Sequence, residues 1–477
     1  MTTNNSHHEF AALILAATSG NRMYPVASSS HPKHLLPVVG ISLLIRLLNA
    51  LVDSGFSRCV IALANEDKES HSEIKDADGM RQTSGNRFLL RDSLAVVLHY
   101  LPSDCAGSFA ALKSVEDAAC IPASSHIVVL PGDIFITDTS ALKKLANSHR
   151  EGCTNGVETC CTMLLVEVGE EDMNGNPLKE SAKAKKNSLS RDDDQIEYIG
   201  LSMSNSSDSL PRVVWKQSKL DAEEDVNMVG STPKLNFPKP RLLSAGITRI
   251  RTDWHDVHVY CFSPWVRKLC SARPSLLSIE GDLIPLLIET QFRGIQFAFG
   301  SNEDAMEIYR KSFPLAKDTR DAIKLEHEFA VRTCIIPGTQ AMRACTLPAY
   351  LMACRELLSL TVSDETVKKK HLFLPEGARI NSKFHSVLLT NVELGEKAQI
   401  KHSFVDSGTK LGSKCKLNNV VIMKNATLGD NVILQNAVIG ESCVIGENSS
   451  LSYVRVAHGK SIPPGTKEKG DLSMDEI

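Results

Sequence analysis

The sequence lacks the features that mark membrane-bound, secreted or nucleic-acid-binding proteins. No uninterrupted apolar run approaches the roughly 20 residues that a membrane-spanning helix needs, and residues 1–8 are polar, without the apolar core of a signal peptide. The formal net charge is only -3, so no strongly basic surface calls for nucleic acid. We therefore expect a protein of the cytoplasm (cytosol) or the nucleus, with no direct nucleic-acid partner and no membrane partner.

The cysteines also lack any pattern typical of disulfides or of a zinc site. There are 13 of them, an odd number, and none belongs to a CxxC pair. We expect reduced and mostly buried thiols. No cluster of histidine and acidic residues is visible near a cysteine, which argues against a catalytic thiol.

Apolar runs and helical spacings alternate along the first part of the chain. Strands are predicted at 11–16, 59–64, 94–101 and 127–130, and helices at 42–52 and 108–119. Three strand–helix units in a row favour a doubly wound parallel sheet, whose ligands bind at the carboxyl ends of the strands. Further strands are predicted at 196–201, 212–216, 257–262 and 331–336, and further helices at 283–290 and 347–360.

The length and composition divide the chain into about three units. We expect a disordered N-terminus at 1–8, an α/β domain at 9–300, a connecting segment at 301–370, a repeat domain at 371–460 and a C-terminal tail at 461–477. Residues 169–209 are rich in charged residues and serine, which predicts solvated insertions on both sides of strand 196–201.

The loop after the first predicted strand has the composition of a phosphate-binding loop. Small residues fill positions 16–20, which lets backbone N–H groups approach a phosphate, and Arg22 and Lys33 supply positive charge. Two other short stretches, 106–108 and 132–133, fall at the carboxyl ends of predicted strands. Together these positions outline a candidate ligand pocket.

From residue 394 the sequence repeats every 17 residues, with Leu-Gly or Ile-Gly beginning at 394, 411, 428 and 445. Aliphatic residues follow at steps of 5 or 6, as expected for three-sided coils that each bury one side chain per side. The predicted inward residues are Leu394, Ile400, Val405, Leu411, Leu417, Ile422, Leu428, Leu434, Ile439, Ile445 and Leu451. We expect the repeated glycine to supply the backbone angles of the corners.

These features together resemble the sugar-nucleotide pyrophosphorylases. That resemblance implies an α/β, Rossmann-like nucleotidyltransferase domain followed by a left-handed parallel β-helix of hexapeptide-like repeats. Within the superfamily the chain most resembles the gamma subunits of eukaryotic translation initiation factor 2B. The similarity covers roughly residues 9–477 and includes EFAALILAA at 9–17, HDVHVYC at 255–261, SIEGDLIPLLIETQF at 278–292 and the acidic end MDEI.

Active pyrophosphorylases of this superfamily carry a loop L-A-A-G-x-G-x-R-L followed by P-K-P. Here the two glycine positions are Thr18 and Gly20, the arginine is Arg22, the lysine is Lys33, and His34 replaces the last proline. A β-branched residue in place of the first glycine disfavours positive φ and adds bulk to the cradle. The departure predicts a vestigial pocket.

Other site residues are implied by the same resemblance. Gly107 and Ser108 correspond to the segment that contacts the nucleotide base, and Asp133 and Asp256 correspond to the carboxylates that hold Mg²⁺. The alternative for each aspartate is an ordinary cap of a turn or helix at a strand end. The sugar-binding F-x-E-K-P segment has no clear match, and Lys216 of the corresponding region is either a phosphate ligand or a surface residue.

The resemblance implies a non-catalytic or regulatory subunit. In that family the chain pairs with the epsilon subunit and joins the alpha, beta and delta subunits in the complex that exchanges GDP for GTP on initiation factor 2. The epsilon subunit carries the exchange activity in an additional C-terminal helical domain. This sequence ends shortly after its last predicted coil, so we expect no exchange activity from this chain alone, and no required cofactor beyond residual nucleotide or Mg²⁺ binding.

Two alternatives stay open at this point. An active sugar-nucleotide pyrophosphorylase would bind the triphosphate through Arg22 and Lys33 and Mg²⁺ through Asp133 and Asp256. A β-helix acyltransferase would need a histidine base on the coils, for which His402 and His458 are the candidates.

Overall fold

The computed structural model describes residues 9–17, 21–65, 67–154, 158–167, 196–202, 211–219, 248–300, 329–363, 377 and 379–474. These residues form an α/β unit followed by a parallel β-helix. The N-terminus predicted to be disordered, and the predicted insertions at 169–209 apart from their central strand, lie outside the described residues. No described helix is long and apolar enough to cross a membrane.

The strands of the α/β unit are β1 (Phe10–Ala16), β2 (Pro37–Val38), β3 (Ile41–Ser42), β4 (Arg58–Leu63), β5 (Met80–Ser84), β6 (Arg87–Leu90), β7 (Leu94–Tyr100), β8 (His126–Pro131), β9 (Ile134–Ile136), β10 (Glu158–Glu167), β11 (Glu197–Ser202), β12 (Arg212–Ser218), β13 (Thr248–Arg251), β14 (Trp254–Phe262), β15 (Phe329–Pro337) and β16 (Ala341–Arg343). Its helices are α1 (Leu43–Ser54), α2 (Lys68–Asp76), α3 (Ser108–Asp117), α4 (Ser140–Thr154), α5 (Leu269–Ala272), α6 (Ile284–Arg293), α7 (Ile295–Phe299) and α8 (Leu347–Ser363). Short 3₁₀ turns span Asn21–Met23, Lys33–Leu35 and Pro264–Lys268, and a π turn spans Ile279–Leu283.

The large sheet has the order β13-β11-β12-β15-β10-β14-β8-β1-β4-β7-β6-β5. Strand β1 pairs in parallel with β4 and β8, and β4 pairs in parallel with β7. Both faces are covered, because Ile14 packs into one buried cluster with α1 and α4, whereas Leu13 packs into a second cluster with α3 and α6. The sheet is mixed, because β14 runs antiparallel to both β8 and β10. Its parallel strands β7, β4, β1 and β8 lie between helices on both faces, which confirms the predicted α/β class.

Each strand and helix predicted from periodicity is present, within a few residues at each end. Helix α1 is an example: Ser42 caps its N-terminus by accepting from the Ile45 N–H, and Gly55 ends it with φ +88°. The sequence reading missed α2, α4 and the β5–β6 hairpin, because their polar faces dilute the apolar spacing that local prediction uses.

The predicted boundary of the α/β domain at residue 300 is wrong for the described residues. Strand β15 lies between β12 and β10 in the large sheet, where its run from Phe329 to Ile336 is mostly buried. Strand β16 pairs with β9, and α8 follows directly. The described part of the predicted connecting segment is therefore part of the α/β unit.

The β-helix contains β17 (Arg379–Asn381), β18 (Ser386–Leu388), β19 (Glu393–Leu394), β20 (Gln399–Lys401), β21 (Phe404–Val405), β22 (Lys410–Leu411), β23 (Lys416–Ile422), β24 (Thr427–Leu428), β25 (Ile433–Ile439), β26 (Val444–Ile445), β27 (Ser450–Val456), β28 (Ser461–Ile462) and β29 (Lys467–Met474). Parallel pairing joins Leu417 to Leu434 and Leu428 to Ile445, one repeat apart. Because β28 and β29 pair with β26 and β27, the last coil extends into the segment predicted as a tail.

The predicted inward aliphatic residues are buried along most of the column, with two departures. Ile400 is only partly buried, and Leu394 is 49% exposed. Leu394 lies on β19, the terminal strand of its sheet, so no described coil covers that end of the stack. Without a coil on its outer side, Leu394 keeps about half of its side chain accessible to solvent.

The repeated glycines do not supply the corner angles, contrary to the prediction. A Cβ built on Gly395, Gly412, Gly429 or Gly446 would lie 2.3–2.7 Å from the backbone of the next coil, and none of the four has positive φ. The left-handed corners fall elsewhere, at three columns spaced by 17 residues. One of these columns contains Lys397, Lys414, Asn431, Asn448 and Gly465. Asparagine tolerates this conformation better than most side chains.

The two units share one hydrophobic core. Phe404, Val421 and Val438 of the coils belong to the same buried cluster as Tyr350 and Leu357 of α8. The rings of His31 and His458 stack 3.9 Å apart at the same junction. The β-helix is thus packed against the α/β unit through apolar and aromatic contacts.

Candidate functional site

The two predicted metal carboxylates lie at the same edge of the sheet. Asp133 follows β8, and Asp256 lies near the start of β14, which is antiparallel to β8. Tyr260 pairs with Val129, so the residues that precede Tyr260 approach those that follow Val129. The sheet topology thus brings Asp133 and Asp256 toward each other.

Asp133 is fully buried and accepts hydrogen bonds from two cationic side chains. The Lys33 ammonium lies 2.7 Å from Oδ2, and Arg343 donates from Nε to Oδ1 at 3.2 Å and from Nη2 to Oδ2 at 3.0 Å. Burial by itself raises the pKa of Asp133, but Arg343 and Lys33 outweigh it and hold that pKa well below the usual value. Asp133 is therefore an ionised partner in a bidentate ion pair.

Asp256 is also fully buried and saturated by donors. Its Oδ2 accepts from Lys216 Nζ and from the Tyr260 hydroxyl, both at 2.8 Å, and its Oδ1 accepts from the His258 N–H at 2.8 Å. Burial raises the pKa of Asp256, yet Lys216 and His258 lower it to about 2. The side chain of Lys216 is only 6% exposed and also lies 2.8 Å from Glu197, so it is a buried ion-pair residue, not a surface one.

A strained segment of β14 positions these groups. His258 has φ +57°. The pairing of β14 with β10 is irregular at this point, because β14 has extra residues between Asp256 and Tyr260, opposite Leu164 of β10. Such a bulge re-aims side chains near functional sites. It lets the His258 N–H cap Asp256 while the imidazole faces Arg343.

His258 joins the two ion pairs into one network. Arg343 Nη1 lies 3.3 Å from His258 Nδ1, and because a guanidinium only donates, Nδ1 accepts. The ring proton is then on Nε2, which lies 3.7 Å from Glu280. Burial and the nearby Arg343 charge lower the pKa of His258 to about 4, so the ring is neutral at physiological pH.

These residues, as arranged, do not fit a magnesium ion. Mg²⁺ needs near-octahedral oxygen ligands at about 2.0–2.1 Å. Each of the four oxygens of Asp133 and Asp256 already accepts a hydrogen bond, and three cations, Lys33, Lys216 and Arg343, lie against them. The metal assignment made from sequence therefore does not agree with the geometry.

The segment predicted to contact a nucleotide base, Gly107 and Ser108, packs against the loop at 277–279. Gly107 has φ +92°, and a Cβ there would lie 2.3 Å from the Leu277 carbonyl oxygen. Ser108 Oγ accepts from the Ile279 N–H at 2.8 Å. The loop at 277–279 therefore occupies the space beside Gly107 and Ser108.

The phosphate loop is described only in part. Thr18 and Gly20 lie outside the described residues. Arg22 lies in a 3₁₀ turn, exposed, and its carbonyl accepts from Arg455 of the β-helix. Lys33 is engaged by Asp133. Of the predicted phosphate ligands, Lys33 is thus committed to an internal ion pair, and the Arg22 backbone supports the domain junction.

The two histidines considered as acyltransferase bases, His458 and His402, contact backbone groups and another ring, respectively. His458 Nδ1 accepts from the Glu441 N–H at 3.0 Å, and its Nε2 lies 2.9 Å from the Val26 carbonyl, so both ring nitrogens bind backbone. His402 is exposed at a coil corner with φ +48°, and its ring stacks on His385. His458 fastens the β-helix to the α/β unit.

Sequence reasoning missed Arg343, His258 and Glu280, which complete the network. Arg343 is 210 residues from Asp133 in sequence, and no local motif marks it. An arginine that ends a short strand in a mostly apolar stretch is the one available signal. Its partner follows only from the pairing of β16 with β9.

Comparisons with known proteins agree with this architecture. Residues 11–175 match the nucleotidyl transferase family, and residues 379–461 match the GlmU-like C-terminal hexapeptide family. The chain is also similar to translation initiation factor eIF2B subunit gamma of Schizosaccharomyces pombe. The two are 24% identical over 388 residues, which cover 78% of this chain and 72% of the relative. The chain thus combines a nucleotidyl transferase domain with a GlmU-like hexapeptide β-helix, and its resemblance to the gamma subunit of eIF2B is confirmed.

Proposed function

We propose that this chain is a non-catalytic, regulatory subunit of the guanine-nucleotide exchange factor for translation initiation factor 2. In this proposal it forms a subcomplex with the epsilon subunit, joins the alpha, beta and delta subunits in the cytosol, and promotes GDP–GTP exchange without binding nucleic acid or membrane. The observation that supports a non-catalytic role is the Arg343–Asp133 ion pair. It occupies the carboxylate that nucleotidyl transfer would need to hold a metal ion.

The electrostatics of the pocket support this proposal. Nucleotidyl transfer needs a divalent cation to offset the charge of the triphosphate, and cationic side chains that contact its phosphates. Here Lys33, Lys216 and Arg343 are all held by buried or partly buried carboxylates of the same chain. To bind substrate, the chain would have to break several charge-assisted hydrogen bonds in a buried site.

The fold supports an assembly role. Because the β-helix shares a buried core with the α/β unit, the two units are packed together and can meet a partner as one body. A rigid scaffold positions a catalytic partner without contributing to the chemistry. No cofactor is required for such a role, and residual nucleotide binding would be regulatory.

The catalytic arm of the test is release of pyrophosphate. The purified chain is incubated with GTP or UTP, a range of sugar 1-phosphates and Mg²⁺, with an active sugar-nucleotide pyrophosphorylase as positive control. We expect no turnover above background. Turnover that Asp133→Asn abolishes would overturn the proposal in favour of an active pyrophosphorylase.

The assembly arm uses co-expression with the epsilon subunit. We expect the two chains to co-purify, and GDP release from initiation factor 2 to be faster with the pair than with epsilon alone. This chain alone is expected to leave GDP release unchanged. Failure to co-purify, or exchange by the pair no faster than by epsilon, would contradict the proposal.

A further inference from the structure

A cluster of metal-ligating side chains lies on the α/β unit, apart from the carboxylate network. His126 begins β8, and His149 and Cys153 lie one turn apart on α4. One ligand atom from each of the three lies within 4.8 Å of the others. The sequence alone does not indicate this site, because the spacing between His126 and His149 matches no zinc motif.

The distance between the two imidazoles is close to what zinc requires. His126 Nδ1 and His149 Nε2 are 3.0 Å apart. Two nitrogens that bind one tetrahedral zinc ion at about 2.0–2.1 Å are separated by about 3.3 Å, so the rings need to part by only about 0.3 Å. A thiolate at about 2.3 Å from the ion takes a third corner, which the four-residue spacing of His149 and Cys153 on one helix face allows.

The surroundings orient the ligands in the way metal sites require. The second nitrogen of His149, Nδ1, lies 2.9 Å from Thr162 Oγ1 on β10, which fixes the ring with Nε2 toward His126. His149 is fully buried, whereas Cys153 is accessible to solvent. An ion can therefore enter from the cysteine side.

The charges near the cluster also permit a cation. The neighbouring Arg150 is paired with Glu9, whose carboxylate lies 2.8 Å from its guanidinium. The positive charge of Arg150 is thereby offset.

We propose that His126, His149 and Cys153 form a zinc site, with water as the fourth ligand. The ion ties the C-terminal end of α4 to the start of β8. The site is independent of the exchange-factor role, since it lies outside the carboxylate network and its test does not use exchange or pyrophosphate release.

The test measures metal bound to the full-length chain. The chain is purified without chelator, its zinc content is measured by mass spectrometry, and the metal-free chain is titrated with Zn²⁺ and with Co²⁺. We expect one zinc per chain and, with Co²⁺, a thiolate-to-metal charge-transfer band. Cys153→Ser is expected to lose both, whereas Cys105→Ser, which alters another partly exposed cysteine outside the cluster, is expected to keep both.

A second variant tests the orienting contact. Thr162→Val removes the hydroxyl beside His149 Nδ1 and is expected to weaken zinc binding about 10–100-fold while the cobalt band persists at saturating metal. The proposal is overturned if the wild-type chain neither retains zinc nor gives the cobalt band. It is equally overturned if Cys153→Ser binds zinc as tightly as Cys105→Ser, because the zinc would then be held without the Cys153 thiolate.

Discussion

Arg343 decides the chemistry of the pocket at the scale of single residues. It donates to both oxygens of Asp133 and contacts His258, so one guanidinium engages the carboxylate that the sequence assigned to a divalent cation. A guanidinium matches a carboxylate in a planar, bidentate way that an ammonium cannot reproduce. The partner of this aspartate is therefore a side chain of the same chain.

Replacing Arg343 tests how much this pair stabilises the fold. Arg343→Gln leaves Asp133 with Lys33 alone, and we expect the free energy of unfolding to fall by about 2 kcal/mol. Urea denaturation measures the change. Arg81→Gln is the control, because the Arg81–Asp92 pair is exposed and is expected to contribute less than about 1 kcal/mol. Equal losses in the two variants would contradict this assignment.

Arg343→Gln is also expected to open the site to a divalent cation. Without the guanidinium, Asp133 regains oxygen lone pairs that face the pocket. We expect electron paramagnetic resonance to detect Mn²⁺ bound by the variant and not by Arg343→Lys, which keeps a positive charge. If both variants leave Mn²⁺ free, the guanidinium is not what excludes the metal.

The pH dependence of stability follows from the same pair. Because the pKa of folded Asp133 is below the unfolded value of 3.8, its contribution is fully present above about pH 4 and is lost as the pH falls through the folded pKa. Stability should therefore decline in acid more steeply in the wild type than in Arg343→Gln. Urea midpoints measured from about pH 6 down to about pH 3 check the difference, and parallel curves would contradict it.

At the scale of elements, the coils of the β-helix use glycine and asparagine for different purposes. The repeated Leu-Gly and Ile-Gly glycines permit close approach of neighbouring coils, whereas the left-handed corners are filled by several residue types. The distinction is invisible in the repeat itself, since both positions recur every 17 residues.

Two glycine substitutions separate these roles. Gly412→Ala would place a methyl group 2.5 Å from the backbone of the next coil, and we expect a loss of about 1–3 kcal/mol. Gly465→Asn introduces a larger side chain at a corner with φ +74° and open space, where the column already contains asparagine, and we expect a change under about 0.5 kcal/mol. Thermal unfolding of both variants measures the difference. A larger loss of stability in Gly465→Asn than in Gly412→Ala would contradict these roles.

At the scale of the whole molecule, the shared core couples the β-helix to the α/β unit. Phe404 is fully buried in the cluster that contains α8, whereas Leu451 belongs to the cluster inside the coils. Phe404→Ala is expected to cost about 3–5 kcal/mol and to increase amide hydrogen exchange in α8 as well as in the coils. Leu451→Ala is the matched control and should increase exchange in the coils alone. Unchanged exchange of α8 in Phe404→Ala would show that the units fold independently.

The sequence by itself determined the class of both units and the strands and helices with a clear apolar periodicity. The strands around the parallel sheet, helix α1 with its end at Gly55, and the 17-residue coils all follow from spacing along the chain, because apolar periodicity and turn residues act locally. The pairing of Asp133 with Arg343, the position of β15 inside the large sheet and the meeting of His126 with His149 and Cys153 were decided only by tertiary structure. Each joins residues far apart in sequence, and burial and charge pairing select such contacts only once the chain has folded.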